Sequence, residues 1–292
     1  MIPLILAILC ILLGISITLQ SALLTHFPVK QFIAWFVLLC ILESINMINK
    51  CPMTMAYLNT IEPISLQLFR TIGFGFFGII KQALLLSTTL ICLLFAPQKS
   101  LLTTYIQSRK YGLYMGGLLT LIILFISLVV PSTNADWPSL AGLDTYFPTV
   151  YIAIAYFVSY LFLVIFLLSI AYLFEYLFYD THTKIAGYLV TSISGLCLVS
   201  KLSPGSLTEF LIMGIALSIV CTLMYRFIIL YDKSTVAWFA FVLFVTEMSG
   251  RQIRTTYGDI AFALIIIMLW AVSYYISRHI QQSNQRYITS QK

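Results

Sequence analysis

The feature that most constrains this chain is a series of long apolar runs without a charged residue. The runs at 118–130 and 260–272 are two examples. A helix needs about 20 mostly apolar residues to cross a lipid bilayer. Charged residues make up 9% of the 292 residues, whereas about a quarter is usual in soluble proteins. We therefore predict an all-α, polytopic transmembrane helical bundle.

Hydropathy indicates nine candidate spans, two of them short, so we expect about eight or nine in the folded protein. They cover residues 3–24, 32–48, 73–95, 113–130, 149–178, 185–199, 207–231, 235–248 and 257–277. The stretch 53–72 has apolar residues at a helical spacing and also contains Glu62, Pro63 and Arg70, so we predict an interfacial or re-entrant helix there. Residues 1–277 form one predicted transmembrane bundle, and residues 278–292 form a short polar tail.

The positions of Lys and Arg in the loops predict the orientation. The loop after the third span carries Lys99, Arg109 and Lys110, and the C-terminal tail is also basic, whereas the loop 132–148 contains neither Lys nor Arg. We therefore expect the N-terminus outside and the tail in the cytoplasm. The same topology places Lys233 on the cytoplasmic side.

Charge and cysteine content exclude several classes of partner. The net charge is +6, but the basic residues are scattered singly and form no nucleic-acid-binding face. The six cysteines show no CxxC spacing and lie mostly in apolar runs, and the three histidines are far apart. We expect no nucleic acid, no metal and no cofactor. The lipid bilayer is the expected partner, with other membrane subunits in one of the alternatives below.

Polar residues at membrane depth are the candidate functional residues. A charge at the bilayer centre costs about 2.5–3.5 kcal/mol on insertion scales, so such residues usually face water or a partner. Glu43 pairs with Lys81 in our interpretation, and Glu247 pairs with Arg251. Structural ion pairing or snorkelling to the head groups is the alternative. The predicted substrate-binding residues of one external cavity are Glu43, Asn46, Lys81, Gln82, Glu247, Arg251 and Arg254.

Three further ionisable residues lie near predicted cytoplasmic ends of spans. Glu175 and Asp180 are close to the end of the long fifth span, and we expect both in the inner interface. Arg226 is close to the end of the seventh span, and we expect its long side chain to snorkel to the membrane surface.

Two glycine patterns predict close packing between helices. Gly73, Gly75 and Gly78 match the letters of a dinucleotide-binding loop, but they lie in an apolar run and follow no strand. Gly112 and Gly116 have the spacing of small residues that lets two membrane helices approach closely. We interpret both patterns as packing features.

Three functional classes are open from the sequence. A transporter or permease-like subunit is favoured by intramembrane charges close to helix-breaking Gly and Pro. A sensor or assembly subunit would act through the polar tail and a partner protein. An intramembrane enzyme acting on a lipid-linked substrate would use Glu247 as acid or base, with Arg251 and Arg254 on a phosphate. The absence of N-glycosylation sequons favours a bacterial inner membrane.

Overall fold

The computed structural model describes most of the chain as helices. The described residues are 28–56, 62–95, 105–129, 145–179, 183–201, 207–230, 232–252 and 258–290, with the single positions 12 and 16. Every regular element in these ranges is helical. The predicted span 3–24 lies outside the described residues apart from Leu12 and Ser16.

The helices agree with an integral multi-pass membrane protein. In chain order they are α1 (Val29–Asn49), α2 (Cys51–Ala56), α3 (Ile64–Phe95), α4 (Tyr105–Val129), α5 (Pro148–Tyr179), α6 (Lys184–Lys201), α7 (Leu207–Met224), a π-helical turn (Tyr225–Ile229), α8 (Thr235–Gln252) and α9 (Gly258–Ser290). Among the described residues, five helices are long and apolar enough to cross a membrane, namely Val29–Asn49, Ile64–Phe95, Pro148–Phe178, Phe210–Ile229 and Phe262–Gln282. Lys184–Val199 and Thr235–Thr246 are apolar but shorter. The predicted tail at 278–292 continues α9 as far as Ser290.

The region 53–72 does not form the separate interfacial or re-entrant helix that we predicted. Instead, α3 begins directly after Pro63 and continues unbroken through Gly73. Proline suits a helix start because no N–H donor is needed there, and one interior glycine costs only about 1 kcal/mol. The 32 residues of α3 span about 48 Å, more than the ~30 Å hydrocarbon core. Its exposed first turns carry Arg70, whose guanidinium lies 3.4 Å from the Glu62 carboxylate.

Helix α5 is the centre of the bundle. In the most apolar 18 residues of α5, 89% of the residues are buried inside the protein, whereas the corresponding share for α1 is 17%. A helix that is apolar on all sides must be covered on all sides, by protein or by lipid. Helices α1, α3, α6, α8 and α9 all pack against α5. Five of the other helices are therefore positioned by direct contact with α5.

Glycines bring two pairs of helices into close contact, as predicted for Gly112 and Gly116. A Cβ atom at Gly112 would lie 2.5 Å from the Cβ of Trp238, and one at Gly116 would lie 2.6 Å from the Cβ of Val242. Helix α4 therefore lies against α8 at a distance that no larger residue permits. In the same way, a Cβ at Gly195 of α6 would lie 2.5 Å from a backbone atom of α7.

The second glycine pattern is a packing feature at one position. Gly73, Gly75 and Gly78 all lie within α3, so they do not form a phosphate-binding loop. A Cβ at Gly75 would lie 2.7 Å from the sulfur of Met47 on α1, whereas Gly73 and Gly78 face open space. The prediction of close packing is confirmed for Gly75 and is wrong for the other two.

The helix ends meet at two opposite ends of the bundle. At one end, which we call the Asn49 end, the Asn49 amide donates to the Phe147 carbonyl at 2.8 Å and accepts from the Phe147 N–H at 2.6 Å. At the other end, the ring of Phe95 packs against that of His279 at 6.0 Å. We call this second end the Lys233 end, after the residue just before α8.

A pair of adjacent glycines tests the α4–α8 contact. We expect Gly116→Ala to destabilise the protein by about 1–3 kcal/mol, because the added methyl overpacks against Val242. Gly117→Ala is the matched control, since a Cβ there meets nothing within 4 Å. We expect it to be neutral or slightly stabilising because alanine favours helix. Thermal unfolding of both variants in detergent compares them, and equal effects would contradict the close contact.

Candidate functional site

Two polar residues predicted for the external site form a contact between α1 and α3. The side-chain amide of Gln82 donates a hydrogen bond to the carboxylate of Glu43 at 3.1 Å. Both side chains are partly buried. Because α1 packs against α3, the two residues meet although 39 positions separate them. This contact brings together two of the seven predicted site residues.

Lys81 does not form the predicted ion pair with Glu43. Its side chain is exposed, whereas the next residue, Gln82, reaches Glu43. Successive residues on a helix point about 100° apart, so only one of the two can face α1. The neighbouring α3 residues Ile79 and Ala83 are buried, which places Gln82 beside the packed face and Lys81 away from it.

Asn46 lies one turn after Glu43 on α1 and is buried, with 6% of its surface exposed. The Oδ1 atom of Asn46 has no hydrogen-bond partner among the described residues. A buried polar atom without a partner costs about 1–3 kcal/mol. A bound water or ligand at this position would supply the missing bond. We name Glu43, Asn46 and Gln82 the outer polar cluster.

Three of the predicted site residues have side chains outside the described part of the chain. Glu247 and Arg251 belong to α8, which packs against α4, α5 and α9, and their side chains lie outside the described part of the chain. Arg254 also lies outside the described residues. A cavity shared by α1, α3 and α8, and the pairing of Glu247 with Arg251, therefore stay predictions.

A second polar centre, which the sequence interpretation missed as a site, lies at the Lys233 end. The ammonium group of Lys233 donates to the carboxylate of Glu175 in a buried ion pair. The exposed fractions of the two side chains are 1% and 7%. The predicted topology places both residues on the cytoplasmic side, with Glu175 in the membrane interface and Lys233 in a loop, and it does not pair them. The folded protein joins them across α5 and the start of α8.

Tyr172 extends the ion pair to a third helix. The Nζ of Lys233 lies 4.1 Å from the centroid of the Tyr172 ring, and the Tyr172 hydroxyl donates to the Leu93 carbonyl at 2.9 Å. Tyr172 and Glu175 are three residues apart, so they share one face of α5. The ring thus stabilises the cation while its hydroxyl binds the end of α3.

The start of α8 completes this centre and connects it to α9. The carboxylate of Asp232 accepts two hydrogen bonds from Ser234, one from the backbone N–H at 2.9 Å and one from the side-chain hydroxyl at 2.5 Å. The side-chain amide of Gln281 on α9 donates to the hydroxyl oxygen of Ser234 at 3.2 Å. Asp232 is a favourable residue before a helix because its carboxylate binds N–H groups of the first turn. We name Tyr172, Glu175, Asp232, Lys233 and Ser234 the buried ion-pair cluster.

The sequence carried one usable signal for this cluster. Asp232, Lys233, Ser234 and Thr235 form a helix-start pattern in which the polar residues are expected in water. The pairing partner Glu175 is 58 residues away, and only the packing of α8 against α5 brings it close. Tyr172 gives no signal of its own in the sequence, because it is one of many aromatic residues in the span 149–178.

The two clusters have different chemical capacities. In the buried ion-pair cluster, Glu175 and Lys233 are paired and the buried Asp232 carboxylate is hydrogen-bonded to Ser234. The cluster is therefore suited to fixing helices rather than to receiving a solute. The outer polar cluster has a partly exposed carboxylate and a buried amide oxygen without a partner. Within the described residues, no three His, Cys, Asp or Glu side chains are grouped as metal ligands.

Comparison of the chain with protein-family models, with curated proteins and with solved structures gives no match. Functional conclusions therefore depend on the residues of this chain.

Two substitutions of Tyr172 separate its contributions. We expect Tyr172→Phe to cost about 0.5–1.5 kcal/mol, because the hydrogen bond to Leu93 is lost while the ring stays beside Lys233. Tyr172→Leu should cost about 2 kcal/mol more, because the buried cation also loses the ring. Unfolding of the two variants in detergent measures the difference.

The same pair of changes at Tyr160 is the control, because this buried ring packs against Phe244 and the described structure places no cation over it. If the Leu variant is less stable than the Phe variant by the same free energy at both positions, the contact of the Tyr172 ring with Lys233 adds nothing to stability.

Proposed function

We propose that this chain is a transporter or a permease-like subunit with a polar cavity open to the non-cytoplasmic side. In this proposal it crosses the membrane nine times. The five long apolar helices are joined by α4, by the shorter α6 and α8, and by a span at 3–24. The proposed substrate-binding residues are those of the outer polar cluster together with Glu247, Arg251 and Arg254, and Lys81 is left out because its side chain is exposed on the far side of α3 from α1.

The exposed basic residues support a cytoplasmic Lys233 end. Arg109, Lys110, Lys184 and Arg278 are exposed there. At the Asn49 end, the exposed Arg70 is paired with an acid. An excess of Lys and Arg marks the cytoplasmic side of membrane proteins. This orientation puts the Asn49 end outside, and we propose a bacterial inner membrane as its location.

The contrast between the two polar centres is the observation that carries the proposal. Glu43 is six residues, or about 9 Å of helix, from Asn49, and it is partly exposed. Glu175 is 28 residues from Phe147 on α5, so the sealed ion pair lies about 40 Å from the Asn49 end. A transporter needs a binding site reachable from one side while the other side is closed. A buried ion pair toward the proposed cytoplasmic side and a partly exposed polar cluster toward the other side support the proposal.

The chemistry of the outer polar cluster favours a solute with hydrogen-bond donors or a positive charge. Glu43 contributes a carboxylate, and Asn46 contributes a buried acceptor oxygen without a partner. The hydroxyls of Ser87 and Thr89, lower on α3, donate to the Ala83 and Leu85 carbonyls of their own helix, each at 2.6 Å. They are therefore engaged in α3 and add little to the site.

Water access at single cysteines tests the proposal. In a cysteine-free background, we expect Glu43→Cys, Glu247→Cys and Arg251→Cys to react in intact cells with a thiol reagent that does not cross membranes. Lys81→Cys should react poorly, because its side chain is directed away from the protein and into lipid.

Two controls define the sides and the background. Leu39→Cys, one turn from Glu43 and fully buried, should not react. Lys184→Cys, exposed at the Lys233 end, should react only after permeabilisation. Reaction of positions 43, 247 and 251 only after permeabilisation would invert the orientation. No reaction in either state would exclude an aqueous cavity and leave the sensor or assembly alternative.

A further inference from the structure

We propose that the junction of α5, α6 and the π-helical turn is a binding site for the phosphate group of an anionic phospholipid, with Lys184 and Arg226 as its ligands. This site is separate from both polar clusters. It does not depend on whether the protein transports a solute.

Two cations converge there on one aromatic ring. The guanidinium carbon of Arg226 lies 4.5 Å from the ring centroid of Phe178, and the Nζ of Lys184 lies 5.8 Å from the same centroid. The ring face attracts both cations and holds them in place. Because the guanidinium has five N–H donors in a plane, an arginine held against a ring still presents donors to an oxygen ligand.

The converging charges have no carboxylate partner in the described part of the chain. Neither Lys184 nor Arg226 forms an ion pair there, and Glu175, on the same helix as Phe178, is bound to Lys233. Two positive groups held at one ring repel each other, and an anion bound to both would remove that repulsion. An anionic ligand with several acceptor oxygens is suited to this arrangement because it can accept from both cations.

The π-helical turn fixes the position of Arg226. The N–H of Leu230 donates to the Tyr225 carbonyl at 3.0 Å, five residues back, which inserts one extra residue into the helix. The Tyr225 hydroxyl donates to the Leu167 carbonyl of α5 at 3.0 Å, and Ile229 is buried. Single π-helical turns are rare and occur frequently at functional sites. Here the turn orients Tyr225 inward and Arg226 toward Phe178.

The surface beside the cations is suited to lipid chains, which favours a phospholipid over free phosphate. Exposed apolar side chains continue from the site along α6 and α7, with exposures from 49% for Leu223 to 77% for Ile185. Leu189 and Phe227 belong to the same surface. Basic pockets between membrane helices on the cytoplasmic side are known sites for anionic head groups. A phosphate at Lys184 and Arg226 would place its acyl chains on these residues.

Lipid binding to the purified full-length protein tests the site. Thermal unfolding and native mass spectrometry are measured in nanodiscs of phosphatidylcholine, alone or with added phosphatidylglycerol. We expect phosphatidylglycerol to raise the unfolding temperature and to remain bound. Lys184→Gln or Arg226→Gln should weaken this binding about fivefold, and the double variant about 30-fold. Inorganic phosphate should not substitute for the lipid.

Arg278→Gln is the matched control. Arg278 is exposed at the same end of the bundle, but its guanidinium donates to the Tyr274 hydroxyl at 2.9 Å and does not share a ring with a second cation. We expect this variant to bind phosphatidylglycerol like the parent protein. A cooperative unfolding transition of each variant in phosphatidylcholine alone verifies that it is folded. Lys184→Gln is the variant least expected to disturb folding, because Lys184 is exposed at the start of α6.

Three results would overturn the proposal. Equal lipid binding by the parent and the double variant would mean that these cations hold no lipid, as expected if Asp180, which lies outside the described residues, were their counter-ion. An equal loss in Arg278→Gln would indicate attraction to the whole basic surface. An equal effect of inorganic phosphate would indicate a soluble anion instead of a lipid.

Discussion

The ion pair between Glu175 and Lys233 determines how the helices are arranged at the Lys233 end of the bundle. Each charge removed from water costs several kcal/mol, and only a partner at close range with further polar contacts compensates it. Glu175 is on the central helix α5, so Lys233 must reach α5, and the start of α8 is held there. Tyr172 then connects the pair to α3, and Ser234 connects it to α9 through Gln281. Four helix ends are positioned by one electrostatic requirement.

The rest of the bundle is held by packing, and its polar groups have more freedom. Glycines bring α4 against α8 and α6 against α7, and the apolar surface of α5 is covered on nearly all sides. In the outer polar cluster, Glu43 has an amide as its partner and is partly exposed. Asn46 has a buried oxygen without a partner in the described structure, as does Thr235 at the start of α8. The Lys233 end thus contains a buried ion pair and the polar cluster nearer the Asn49 end contains a partly exposed carboxylate, and our functional proposal depends on this difference.

The sequence predicted the helices well because each helix is specified by the apolar residues of its own segment. Long apolar runs specify membrane helices without reference to the rest of the chain, and the bounds predicted for α5 differ from Pro148–Tyr179 by one residue at each end. The α3 prediction failed because Arg70 and Pro63 resemble an interruption, although a helix longer than the bilayer accommodates both. The buried ion-pair cluster could not be predicted, because the contact of Lys233 with Glu175 depends on which helices are neighbours. Consecutive polar residues, such as Lys81 and Gln82, could not be assigned to faces for the same reason.

The most direct test of the central ion pair is a double-mutant cycle with Glu175→Gln, Lys233→Met and the two changes combined, measured by unfolding in detergent. Each single change leaves one buried charge without its partner and should cost about 3–5 kcal/mol. The double variant removes both charges of the pair, so its loss should be smaller than that of either single variant. Losses that simply add, or single variants as stable as the parent, would contradict a buried ion pair at this position.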